Sequence, residues 1–273
     1  MTERLEDVRR RREVIDEIGE VVGALRAIAA AHSTDAQTAL DAISLFEGHV
    51  SSALTRLAMP VPLPRTEGPG LTLVVGAAQG FCGGYPARVA EAAKDMAPRG
   101  SGLLVVGQRT GAMLSDAGIT PVWSADLPAA ARFVPALASA VTDVLLVLGE
   151  RFPGPITALS GTDAPGLPVK TWAIWPLEPR APVKPDKTAA PPLTTLPAAD
   201  LLRGLLAETL FAEVARTIMQ GLRIENKARV AAMARAQTNL KTRRAEVDQH
   251  YRQARQEQMT TEVIELSMGK QTP

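Results

Sequence analysis

Between Thr2 and Ala58 the chain has no proline, and glycine occurs only at Gly19, Gly23 and Gly48, so nothing in this stretch forces a helix to stop. Val8, Ile15, Ile18, Val22, Leu25, Ala29, Ala39, Phe46 and Ala53, with His32 among them, step by threes and fours or their multiples. That is the spacing of a coiled-coil seam with polar interruptions. At helical rise the segment reaches about 85 Å, far beyond the three or four turns of an ordinary globular helix. A small domain cannot bury it, so it needs a partner helix. The other end of the chain supplies one. Asp200 suits a first turn, and Leu202, Leu206, Leu210, Val214, Ile218 and Leu222 open a second helix expected to run to Met268 with Gly269 as its stop. That helix is about 100 Å long at the same rise. The two ends are expected to pair as a long antiparallel coiled coil.

The middle has a different texture. Pro60, Pro62, Pro64 and Pro69 break the backbone between Met59 and Gly70. Leu71 to Val75 then reads as a buried strand, followed by Gly76, Gly80, Gly83 and Gly84 and by a helix from Ala87 to Met96 behind Pro86. The unit repeats with a strand at Gly102 to Val106, helices at Thr110 to Ala117 and Val134 to Val141, and a strand expected at Asp143 to Leu148. Ile156 to Leu159 and Val169 to Trp175 are expected to form an antiparallel edge. Strands alternating with helices imply a small central Rossmann-like α/β domain. Prolines at 176, 179, 182, 185, 191, 192 and 197 make an extended linker. The expected organisation is an α/β chain with a shaft helix at 1–58, a foot domain at 71–175, a linker at 176–197 and a second shaft helix at 198–270.

With 30 Lys and Arg against 29 Asp and Glu, the net charge of +1 favours neither nucleic acid nor anionic lipid as partner. The single cysteine, Cys82, cannot form an intramolecular disulfide, and the start MTERLEDVRRRREV lacks the apolar core of a signal peptide, so a cytosolic chain is expected. No stretch approaches the roughly 20 apolar residues of a membrane span. Any membrane association is expected to run through a partner.

The glycine cluster in LVVGAAQGFCGGYPARV invites comparison with a phosphate-binding loop. It lacks Gly-x-x-x-x-Gly-Lys-Ser/Thr and the Gly-x-Gly-x-x-Gly spacing, so it reads better as a tight turn that lets helix pack on strand. Cys82 has no histidine near it in sequence and reads as a small packed residue. His32, His49 and His250 lie on the long helices without metal-ligand spacing. No catalytic residue, metal site or cofactor emerges. From Arg223 to Glu257 nine Lys and Arg face four Asp and Glu, a net +5, which suits a helix face meeting acidic partner loops as well as an ordinary solvated face.

The C-terminal run RIENKARVAAMARAQTN from Arg223, and YRQARQEQMTTEVIEL from Tyr251, resemble the closing signature of the gamma subunit of F-type rotary ATP synthases. Gly80-Phe-Cys-Gly-Gly is similar to that family's Gly-Leu-Cys-Gly-Gly, and Ile28-Ala-Ala-Ala resembles its Met-Val-Ala-Ala. Ala78-Gln79 stands where the family has Asp-Arg, and Gly23-Ala24-Leu25 replaces its basic-methionine pattern, which suggests a divergent, alternative ion-translocating branch. The resemblance implies a non-catalytic rotor shaft seated in a hexamer of alpha and beta subunits, with its foot on the epsilon subunit and the membrane ring of c subunits. It implies a peripheral place on the cytoplasmic face of a bacterial inner membrane. It also implies that Arg229, Arg255, Gln256 and Thr260 contact beta-subunit loops. The competing classes are a small nucleotide-binding α/β enzyme and a coiled-coil scaffold.

The missing phosphate-loop residues give a direct expectation. The segment from Leu71 to Trp175 should fold as an α/β unit and bind neither ATP nor NAD; saturable calorimetric binding near micromolar, about 8 kcal/mol, would overturn the non-enzymatic reading.

Overall fold

A computed structural model of the chain describes residues 5–57, 68–96, 101–163, 169–176 and 193–269. Helix α1 is Leu5–Leu57, strand β1 Leu71–Val75, α2 Tyr85–Lys94, β2 Gly102–Val106, α3 Gln108–Asp116 and β3 Trp123–Ala125. A 3-10 turn at Ala131–Phe133 leads into α4, Val134–Leu148, and then come β4, Ile156–Gly161, β5, Val169–Trp175, and α5, Ala198–Gly269. Most of the two proline-rich connections expected from the sequence lies outside the described residues. The chain forms two compact units, one of 1–29 with 230–273 and one of 30–229, so each long helix contributes to both.

In the first unit the two helices run antiparallel. Arg12 Nε lies 3.2 Å from Asp248, Arg244 pairs with Asp16, and Arg26 Nη1 donates to Gln237 at 2.7 Å, so numbers rise on α1 as they fall on α5. Val8 and Ala29 are buried in the seam, as expected, and so is Met233 of α5. Ile18 is not: at 45% exposure it lies with Val14, Val21 and Ile28 on an outward stripe. The three-and-four stepping could not choose between two adjacent apolar stripes. Residues 255–268 of α5 are exposed throughout.

In the second unit a five-stranded sheet has the order β3-β2-β1-β4-β5, with β5 antiparallel to β4 and the other neighbours parallel. Every residue of β1 and β2 is buried, as strands covered on both faces require. On one face Leu71, Leu73, Val75, Leu104, Val106 and Ala158 pack in one core with α4 and with Leu210, Val214, Ile218 and Leu222 of α5; Ala36 of α1 joins it. On the other face Val74, Leu103, Val105 and Leu159 meet Tyr85, Val89 and Ala93 of α2 and Leu114 of α3. Glu47 of α1, 5% exposed, accepts from Arg216 Nε of α5 at 3.1 Å.

The strand expected at Asp143 to Leu148 is helix. Val134, Ala138, Val141 and Leu145 are buried at helical spacing, while Leu146 and Val147 stand 55% and 73% exposed. A central parallel strand would bury both. The third strand is the short β3, which no periodicity announced. Residues Ala131–Leu148, with mean hydropathy 1.7, are long and apolar enough to cross a bilayer by length and composition alone, but their buried stripe is the cover of the sheet. Because α5 and α1 close one face of that sheet, the segment 71–175 by itself would leave a core face in water. In the whole chain that face is covered by α5 and by Ala36 of α1.

Gly221 fixes how closely α5 approaches β1. A Cβ there would lie 2.2 Å from Val75 Cγ1, whereas one at Gly204 of the same helix meets nothing within 4 Å. Gly204→Ala should therefore stabilise by about 1 kcal/mol through helix propensity. Gly221→Ala should instead destabilise by about 1–3 kcal/mol through overpacking. Urea unfolding of the two variants checks the opposite signs; equal gains would show that the close approach carries no energy.

Candidate functional site

The loop that leaves β1 turns its backbone amides toward side-chain oxygens. Ala77 N–H donates to Thr110 Oγ1 at 2.9 Å, Ala78 N–H to Glu225 Oε2 at 3.2 Å and Gln79 N–H to Glu225 Oε1 at 3.1 Å. Thr110 comes from α3 and Glu225 from α5, so two elements remote in sequence converge on three successive amides. Such runs of backbone N–H groups form anion-binding concavities. Here the anion is the chain's own carboxylate.

Arg229 lies one helical turn beyond Glu225 and completes the joint. Its Nη2 is 2.5 Å from Glu225 Oε1, its Nη1 donates to Asn226 Oδ1 at 2.8 Å, and its Nε donates to the Gly80 carbonyl at 3.3 Å. Nη2 also reaches Cys82 Sγ at 3.5 Å. Glu225, Asn226 and Arg229 are 2%, 1% and 8% exposed, so the pair is desolvated and removing one member leaves the other buried and uncompensated, at a cost of about 3–5 kcal/mol. A small cleft lined by Ala78, Gln79, Leu127, Glu225 and Arg229 opens beside it.

The Gly80-Phe-Cys-Gly-Gly motif is the other half of the joint. Phe81 has φ 62° and Gly83 φ 58°, so the chain turns through two left-handed residues. For a bulky side chain such as Phe81 that conformation is strained and is held by its surroundings. Phe81 is 68% exposed, while Cys82 beside it is buried. Further along, Arg223 Nη2 and Lys227 Nζ reach Asp163 Oδ2 at 2.5 and 2.8 Å. Burial pushes the Asp163 carboxyl up, but the two cations outweigh it and its pKa is lowered.

The structure separates the four residues singled out from the sequence. Arg229 is inside this joint, with its nitrogens engaged by its own chain. Arg255, Gln256 and Thr260 are exposed on the far part of α5, where the Thr260 hydroxyl donates to the Gln256 carbonyl at 2.9 Å. Glu225, Asn226 and Thr110 carry no signal as isolated residues. The trace Glu225 does leave is an acid four residues before an arginine inside a basic run, the i,i+4 spacing of an intrahelical pair. Among the described residues no group of three His, Cys, Asp or Glu side chains could hold a metal ion.

A family model described as ATP synthase matches residues 4–272. The ATP synthase gamma chain of Methylacidiphilum infernorum (isolate V4) is 34% identical over 95 residues, which are 32% of this chain and 32% of that protein. The chain thus spans about a third of the length of the curated relative it matches. Among solved structures, a chain of the Euglena gracilis mitochondrial ATP synthase rotor in rotational state 1 superposes with a TM-score of 0.62 at 12% identity, over 93% of this chain and 98% of that one. A chain of the same organism's OSCP/F1/c-ring assembly in rotational state 3 gives 0.62 at 12% identity over 98% and 96%. A chain of the Tetrahymena thermophila mitochondrial ATP synthase central stalk/c-ring gives 0.51 at 15% over 79% and 99%. At these identities the structural likeness shows the fold alone, with long N- and C-terminal helices and a small α/β sheet between them in sequence.

Cys82 reports on closure of the joint. Burial pushes its thiol up to about 11, against lowering by Arg229, so the folded chain holds a proton there that an unfolded chain releases near pH 9. Stability contributed at this position is complete below pH 9 and falls as pH rises from 9 toward 11. Thiolate alkylation at pH 8.5 should be at least about tenfold slower in the folded chain than in urea; equal rates would show that the loop opens freely.

Proposed function

Because the chain belongs to the ATP synthase gamma family, we propose that it is the non-catalytic central rotor shaft of a rotary ATP synthase or ATPase. It couples ion flow through a membrane ring of c subunits to ATP synthesis or hydrolysis at a hexamer of alpha and beta subunits. The observation that carries this reading is the pair of helices, 53 and 72 residues long, running antiparallel and cross-linked by ion pairs. Torque needs a member that resists twisting, and two helices locked side by side supply it where one helix would not.

In this reading residues 71–175 form the foot, which meets the epsilon subunit and the c-ring, while 1–58 and 198–270 form the shaft joined to the foot through 176–197. The chain reaches the membrane only through those partners, on the cytoplasmic face of a bacterial inner membrane. Arg255, Gln256 and Thr260 meet beta-subunit loops from the exposed part of α5. Arg229 contributes to such a contact together with the Gly80 loop that it holds. The departures at Ala78-Gln79 and Gly23-Ala24-Leu25 support a divergent branch of the family, of the alternative ion-translocating kind.

Arg255 and Gln256 allow a test that leaves the fold alone, because both are exposed and Arg255 has no ion pair among the described residues. Each exposed contact is worth about 0–1 kcal/mol and weakens with salt. Arg255→Ala combined with Gln256→Ala should leave the complex assembled and lower ATP turnover, or the ions moved per ATP, more at low salt than at high. Hydrolysis and transport on one reconstituted preparation check this; wild-type values at both salts would remove the two residues from the coupling.

A further inference from the structure

In an open α/β sheet, ligands bind outside the carboxyl ends of the strands where the strand order reverses. In the order β3-β2-β1-β4-β5 that reversal falls between β1, whose successor lies on one side, and β4, which lies on the other. Both strands point their carboxyl ends toward the loop 76–79 and toward Ser160 and Gly161. This crevice is where a phosphate-bearing ligand would sit. It is filled by α5. A Cβ on Gly221 would strike Val75 and come within 3.3 Å of Ser160 Oγ, and one on Gly161 would strike Tyr85 and Ile224. Glu225, on the same face of α5, then places a carboxylate oxygen on each of the Ala78 and Gln79 amides.

We propose that the β1 loop is an anion-binding site which Glu225 occupies in cis, so that one carboxylate both closes the crevice to free carboxylate or phosphate ligands and fastens α5 to the sheet. Four observations support this together. Two successive amides, those of Ala78 and Gln79, converge on one side chain rather than on backbone carbonyls. The carboxylate takes both oxygens to them, in the manner of a bound anion. Arg229 supplies the cation that an anion site needs, and it simultaneously holds the Gly80 carbonyl at the loop's far end. Finally, the position in the sheet is the one at which this topology binds anions. A carboxylate that merely neutralised Arg229 would not need the amides. The inference is independent of the rotor reading, since it concerns only how this chain closes its own sheet.

Chemical rescue tests it on the full-length chain. Glu225→Ala should lose thermal stability, and formate titrated in the about millimolar range should restore it saturably and shift the Ala78 and Gln79 amide resonances. Acetate, bulkier, should do so less well, and inorganic phosphate shows whether the opened nest also takes a tetrahedral anion. The wild-type chain should respond to none of the three. Should Glu225→Ala fail to fold, Glu225→Gln keeps the size and one acceptor oxygen but sets an NH2 group against an amide donor. Hydrogen exchange at Ala78 or Gln79 should then rise about tenfold, as for a lost hydrogen bond to a charged group, with amides elsewhere in β1 unchanged. A folded Glu225→Ala that ignores formate, or a Glu225→Gln with wild-type exchange at both amides, would overturn the proposal.

Discussion

A long helix laid across a parallel sheet has to bring its axis within a side chain's width of the strands, and α5 does so at Gly221 over Val75. That approach decides what lies on either side of it. Before Gly221, Leu210, Val214 and Ile218 close the face of the sheet that α4 begins to cover. After it, Ile224 crosses to the other core and Glu225 comes within hydrogen-bonding distance of the β1 loop. Any side chain larger than hydrogen at 221 would lift the helix from β1 and separate the carboxylate from its amides.

The joint also explains how an α/β sheet can carry a glycine-rich loop without offering its amides to a ligand. The loop retains the geometry that cradles anions elsewhere, but its donors are already satisfied and its thiol is held protonated by burial. The same electrostatics that would hold a free ligand hold the chain to itself. A buried pair is weak support for net stability, since desolvation offsets much of the attraction. What it adds is geometry, because a carboxylate bound by two amides fixes the rotation of α5 about its axis, whereas apolar packing permits small slips.

Much of this was legible in the sequence because helix length and strand burial are one-dimensional signals. Absence of proline marked α1 and α5, and the runs at Leu71 to Val75 and Gly102 to Val106 gave strands at the observed residues. The errors have physical causes. Asp143 to Leu148 is an apolar run of a length that suits a strand as well as the end of a helix, and only the stripe begun at Val134 decides for helix. β3 is three residues of partial burial at the sheet's edge, too short to carry a period. Ile18 was misplaced because Val14, Ile18, Val21 and Ile28 form a second stripe as regular as the seam. The ionic joint was illegible for another reason: Glu225 and Arg229 look like surface charges until the loop from 77 to 82, about 150 residues earlier in the chain, is seen to lie on them.

The burial of Cys82, the chain's only cysteine, has a practical side. A protein normally has to be stripped of its native thiols before a fluorophore or spin label can be placed on it. This chain arrives nearly stripped, since its one thiol is enclosed by Gly80, Glu225 and Arg229. A cysteine introduced at an exposed position on α5, such as Ser267, would be the one fast-reacting group on the surface. Distances and angular motion could then be followed in the unaltered background.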